Sequence, residues 1–144
     1  MRKVNWILGT IVLLLIATSC KDDSVSNMPT ETKLVGTKWK LVGFFDVEKN
    51  TLREAEPKDC EDCYTLYFDT DSTASGKSTN NAIQLNIINW KVGGTKAGEL
   101  SEDGWMYMDI LGDKAKSYSY EKEDNKLKFY YNNKKNYLLY RALK

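Results

Sequence analysis

The sequence predicts an all-β domain, a barrel or a sandwich, with one short helix. Three observations predict it. Apolar residues recur at every second position through most of residues 34–144. Polar turn clusters break these runs about every eight to twelve residues. One stretch alone, Asp103–Leu111 (DGWMYMDIL), carries apolar residues at helical spacing.

The elements follow in order. Thr37–Phe45 (TKWKLVGFF) places Trp39 and Leu41 on one face and Lys38 and Lys40 on the other, which predicts a first strand with one buried face. Asp46–Cys63 is charged, contains Pro57 and reads as a loop, with room for a short hairpin around Glu48–Leu52. Tyr64–Asp69 (YTLYFD) alternates again, with Tyr64, Leu66 and Phe68 inward. Thr70-Asp71 makes a turn, and Thr73–Ser78 is a return strand whose Gly76 marks a bulge or tight bend. Ala82–Val92 holds one or two strands and ends at Gly93-Gly94. In the helix, Trp105, Met108 and Leu111 share a face. The tail is a ladder: Ala115–Glu121, a turn at Glu123-Asp124-Asn125, Leu127–Tyr131, a turn at Asn132–Lys135, and Tyr137–Arg141.

Ahead of this domain the chain has a different character. Arg2 and Lys3 are followed by an apolar run from Trp6 to Ile16, then the small residues Ala17-Thr18-Ser19 and Cys20. This is the pattern of a secretion signal. The run is shorter than the roughly 20 apolar residues a membrane-spanning helix needs. Small residues leading directly into a cysteine resemble the bacterial lipobox. That resemblance implies cleavage before Cys20 and a lipid on its sulfur, and two or three acyl chains anchor stably where one does not. Lys21-Asp22-Asp23 resemble the surface-export signal of Bacteroidota lipoproteins, which implies display on the outer face of the outer membrane. Lys21–Lys33 is polar and without period, as a tether would be. The expected organisation is a signal peptide over residues 1–19, a lipidated tether over 20–33 and a β domain over 34–144.

Composition excludes several functions. The formal charge is +1, with 21 basic and 20 acidic residues, so no basic surplus points to nucleic acid. There is no histidine. Ser-His-Asp and Cys-His catalysis and His-based metal sites are therefore absent. With Cys20 lipidated, Cys60 and Cys63 remain as an even pair, and outside the cytoplasm such a pair is oxidised as a rule.

Two segments carry a wider resemblance. Leu34-Val35-Gly36-Thr37-Lys38-Trp39-Lys40-Leu41 opens the domain, and Leu127-Lys128-Phe129-Tyr130-Tyr131 with Tyr137-Leu138-Leu139-Tyr140-Arg141 closes it; between them Leu66–Ser72 runs on to Gly76 and Asn80. Together they resemble META-domain and lipocalin-like small lipoproteins. The resemblance implies an antiparallel barrel of about eight strands. In size, anchor and strand pattern the chain is also similar to the potempins, surface lipoproteins that inhibit proteases. That similarity implies an inhibitory loop projecting from a rigid barrel.

The sharpest local feature is Cys60-Glu61-Asp62-Cys63. A redox reading needs the first cysteine at a helix start in a βαβ setting. Here the pair follows a charged loop and precedes a strand, and acidic neighbours raise thiol pKa, the wrong direction for an exchanger. A zinc reading needs two more Cys or His ligands. A loop-closing disulfide fits instead, fixing the backbone around two carboxylates and lowering the ordering cost of binding. The expected partner-binding loop is Cys60, Glu61, Asp62, Cys63 and Tyr64. Against a zinc protease, Glu61 or Asp62 could approach the metal and Tyr64 could fill a neighbouring pocket. Asp69-Thr70-Asp71-Ser72 begins like a calcium loop, but its sixth place is Ala74 and its twelfth Asn80. Glu54 and Glu56 form one of several carboxylate pairs with no sign of burial, which a glycosidase would need. Tyr118, Tyr120, Tyr130, Tyr131, Tyr137 and Tyr140 lie on the closing strands, where some must face outward.

The sequence thus points to a monomeric, non-catalytic, surface-anchored module without cofactor or metal. Its expected partner is a secreted protease or another protein. The alternative is a small hydrophobic ligand or glycan held by a lipocalin-like barrel, and a third reading is a thiol enzyme using Cys60 and Cys63.

Overall fold

The structure, a computed structural model, describes residues 33–88, 91–95, 98, 101–112 and 119–144. Cys20, the Lys21-Asp22-Asp23 signal, the secretion signal and Tyr118 lie outside the described residues. The described residues belong to one compact unit, Glu31–Lys144.

Among the described residues nine strands and one helix follow in order: β1 Lys38–Asp46, β2 Thr51–Glu54, β3 Thr65–Phe68, β4 Thr73–Lys77, β5 Ala82–Asn86, β6 Lys91–Gly94, α1 Glu102–Gly112, β7 Tyr120–Glu123, β8 Lys126–Tyr131 and β9 Asn136–Leu143. All pairings are antiparallel and make one sheet in the order β6-β5-β4-β3-β1-β9-β8-β7, with β2 pairing β1 beside that path. The all-β class and the single helix are as the sequence predicts.

Alternation explains the strands. In β3 Leu66 and Phe68 are buried and Tyr67 is exposed; in β5 Ile83 and Leu85 are buried between exposed Ala82 and Gln84. The turns carry Asn50, Asp124, Asn132, Asn133 and Lys134 at positive φ, a region that Asn and Asp tolerate better than most side chains. The expected hairpin after β1 exists, with Phe45 opposite Leu52. Gly76 marks neither a bulge nor a bend. It sits in register opposite Leu66, where a Cβ would lie 1.9 Å from the Thr65 carbonyl oxygen. The requirement is close backbone approach.

The sheet curls on itself. Three pairings separate β3 from β8, yet the rings of Phe68 and Phe129 are 6.1 Å apart, far nearer than a flat sheet with strands about 4.8 Å apart would allow. The closure expected of a barrel is not made. β6 and β7 end the path and are not paired with each other among the described residues. Between them in sequence lies α1, whose buried side joins the core and whose Gly112 sits against Val92 of β6. The helix thus takes interior space at the sheet's open side.

The helix presents a different face from the expected one. Asp103, Gly104, Tyr107, Ile110 and Leu111 are buried, whereas Trp105 is 65% exposed and Met108 half-buried. Tyr107 continues an aromatic chain through the interior: Tyr64 to Tyr107 at 5.3 Å, Tyr107 to Tyr140 at 6.5 Å, Tyr140 to Phe129 at 5.8 Å and Phe129 to Phe68. These rings are at most 1% exposed. They occupy the space in which a lipocalin-like cup would hold a ligand.

Candidate functional site

The candidate site is the segment from Ala55 to Tyr64, which joins β2 to β3. Cys60 and Cys63 form a disulfide, with Cα atoms 5.4 Å apart. Between them Glu61 and Asp62 are exposed, whereas Cys60 is half-buried and Cys63 is buried. A three-residue separation closes a very small ring, so the staple acts on local shape more than on global stability.

Three anchors hold this loop against the sheet. The first is Lys40. Alternation predicts that it faces solvent with Lys38, and Lys38 does; Lys40 is buried. The loop folds over the outer face of β1, and the Lys40 ammonium donates to the carbonyls of both Cys60 and Cys63. Burial holds the Lys40 pKa below its ordinary value, and the Arg141 charge on the neighbouring strand adds to this; Asp62 and Glu61 pull the other way. A cation donating to both ends of the staple fixes its backbone from beneath.

The second anchor is Tyr64. Its backbone is left-handed, at φ 54°, and its ring is 1% exposed. Its hydroxyl donates to the Glu56 carbonyl at 2.6 Å and lies 3.1 Å from Ser101 Oγ, and its ring edge meets Tyr107. Burial raises its pKa. The expectation that Tyr64 reaches into a partner's pocket is therefore corrected. The apolar ring is worth more in the core than in water, and it ties the loop's end to the interior.

The third anchor is Asp103, which the sequence reading missed. Its carboxylate accepts from both terminal nitrogens of Arg53, at 2.8 and 3.0 Å, and from the Glu56 backbone N–H at 2.8 Å. The hydrogen bond it donates to Asp103 holds the Arg53 guanidinium above its ordinary pKa. Asp103 lies in the first turn of α1, where Ser101 Oγ accepts the Gly104 N–H at 3.1 Å as an N-cap. One carboxylate thus joins β2, the loop and the helix start. Its only trace in the sequence is the acidic pair Glu102-Asp103 at a helix start, and nothing there names Arg53 as the partner.

The other candidates do not come together. Among the described residues no group of three or more Cys, Asp or Glu is placed to hold a metal. Asp69 and Thr70 serve the β3–β4 turn: their N–H groups donate to the Thr73 carbonyl, and Ser75 Oγ donates to Asp69. Glu54 and Glu56 are exposed and face Lys58. Tyr130 and Tyr137 are half-buried and packed edge to face, Tyr137 stacks on Phe45 at 4.5 Å, and Tyr140 is in the core. Those outer rings pack partly on one another, and Tyr120 is 39% exposed.

No protein-family model matches the chain. Over 144 residues it is 32% identical to a Tannerella forsythia protein called "Putative lipoprotein", covering 98% of this chain and 96% of that one. Its fold is similar to that of a DUF4847 family protein from Bacteroides vulgatus, with a TM-score of 0.52 at 16% identity over 75% of this chain and 93% of that one. A protein from Burkholderia xenovorans solved by NMR is similar too, with a TM-score of 0.54 at 18% identity over 76% and 83% of the two chains. At those identities the two solved structures share the fold with this chain.

Proposed function

Since the chain belongs to the same family as that Tannerella forsythia protein, we propose that it is a lipid-anchored, non-catalytic protein-binding module. In this reading Cys20 carries the lipid, Lys21-Asp22-Asp23 direct the chain to the outer face of the outer membrane, and the loop of Cys60, Glu61, Asp62 and Cys63 meets the partner. The partner is a secreted protease, which the loop occupies without being cut quickly.

One observation carries the reading. The two exposed carboxylates sit on a loop whose flanks are fixed on every side: a disulfide across it, an ammonium beneath it, a buried tyrosine after it and an ion-paired aspartate before it. Such a loop has little conformational entropy left to lose on binding. A substrate-like segment of the same sequence would flex and be cleaved. The small-ligand alternative has less support, because the aromatic chain fills the interior.

The exported chain mixed with secreted metallo- and serine proteases tests this. Inhibition of a metalloprotease at micromolar protein is expected, and it should be lost when Glu61 and Asp62 are both replaced by alanine. No inhibition of any protease in the panel would overturn the protease reading. Mass spectrometry of the exported chain, with Cys20→Ser alongside, tests the anchor: the lipid adduct should be present in the first and missing from the second.

A further inference from the structure

Between the sheet and the segment Glu54–Lys58 that leads into the stapled loop lies an open groove of about 190 Å³. Lys40, Val42, Ala55, Pro57, Lys58 and Arg141 line it, with Lys40 buried and Lys58 and Arg141 exposed. Glu54 also lines it, and is bonded to Lys58 at 2.9 Å.

Two of these cations make no ion pair among the described residues, although Asp62 and Glu61 act on Lys40 from further off. Lys40 and Arg141 are directly opposite each other in the β1–β9 register. Neither has a carboxylate at ion-pair distance among the described residues. Lys40 is only 7% exposed, and buried charges are rarely left unpaired. An ammonium has three N–H donors. Two go to the Cys60 and Cys63 carbonyls; the ammonium also lies 5.8 Å from the centre of the Tyr64 ring, and the third N–H has no hydrogen-bond acceptor among the described residues.

We infer that this groove is a carboxylate-binding subsite, in which an acidic side chain or chain terminus of the protein partner sits between Lys40 and Arg141. The planar Arg141 fork suits a carboxylate's two oxygens. Val42, Ala55 and Pro57 suit a short methylene stem. The volume suits one side chain and little more. An anion there would also relieve the mutual repulsion of the two cations, which is one cause of the lowered Lys40 pKa. The groove's use by a partner rests on the proposed function, but its affinity for a carboxylate does not. The two can therefore fail separately.

The test is a titration of the exported chain, followed by the side-chain NMR signals of its lysines and arginines. The probes are Nα-acetylglutamate α-amide, which offers only a side-chain carboxylate, and Nα-acetylalanine, which offers only a terminal one. Nα-acetylglutamine amide is the uncharged control. The expected result is a saturable shift confined to Lys40 and Arg141 with at least one carboxylate probe, and none with the control. The tighter probe identifies the source of the carboxylate. Arg141→Gln, at an exposed position, should weaken binding about fivefold, as for an exposed ion pair at the upper end of its usual range. Lys40→Met should abolish it, and Arg141→Gln keeps the test valid if that variant does not fold. Shifts spread over all lysines without saturation, an equal response to the uncharged control, or unchanged affinity in Arg141→Gln would each overturn the inference.

Discussion

Lys40 is the residue on which the site turns, and a periodic reading of the sequence gives it the right face but the wrong exposure. The period of two puts it correctly on the outer face of β1. It cannot say that residues 55–63 return to cover that face. Tyr64 is the converse case. It was legible as an inward residue, and its hydroxyl partners were not, because Glu56 lies eight residues back in the same loop and Ser101 at the start of α1. Replacing Lys40 by methionine keeps the stem and removes the donor from two carbonyls. Leaving such acceptors unmet costs about 1–3 kcal/mol. Denaturant unfolding of Lys40→Met should show a loss in that range, with the Cys60–Cys63 bond still formed on thiol titration. An unchanged midpoint would mean that water replaces the ammonium at no cost and that the clamp is not one.

Strands were easier to foresee than the helix's orientation, for a physical reason. A strand has two faces, and β3 and β5 bury one of them, through Leu66 and Phe68 and through Ile83 and Leu85. The helix sequence EDGWMYMDILG is apolar almost all round, so two stripes compete and periodicity alone does not choose between them. Tertiary contacts do: Tyr107 meets Tyr64 and accepts from the Tyr140 hydroxyl at 3.2 Å, whereas Trp105 meets water. Truncating the two aromatics should therefore have opposite consequences. Tyr107→Ala is expected to cost about 3–5 kcal/mol, as large buried aromatics do. Trp105→Ala should stay within about 0.5 kcal/mol, as for an ordinary surface position. Thermal unfolding of the two variants side by side checks this, and equal losses would contradict the orientation of the helix.

For the molecule as a whole, the all-β class was legible and the open side was not, because pairing order depends on where α1 packs rather than on any strand's own pattern. The tyrosine-lined interior makes a prediction about alkaline pH. Tyr64 and Tyr107 are held above 10.0, chiefly by burial. Above that pH the unfolded chain loses phenolic protons that the folded chain keeps. The folded state then binds more protons, and stability falls as pH rises. Lys40 acts in the opposite sense: with a folded pKa below 10.5, its contribution grows as pH rises toward that value. Half-buried Tyr130, Tyr131 and Tyr137 are raised as well, so the tyrosines outweigh it. The melting temperature should fall above about pH 10, the unperturbed tyrosine pKa. Absorbance should show Tyr64 and Tyr107 ionising only as the chain unfolds. A rising melting temperature through that range would reverse the assignment.

A stiff loop is what the account requires before any partner is known, and backbone relaxation by NMR measures it directly. In the oxidised exported chain the amide order parameters of Glu61 and Asp62 should match those of β1 and β9, near the value of about 0.85 typical of rigid backbone, and fall below about 0.6 once Cys60 and Cys63 are reduced. Values already below that level with the disulfide intact would contradict the account, because the carboxylates would then be carried on a mobile segment whatever its anchors.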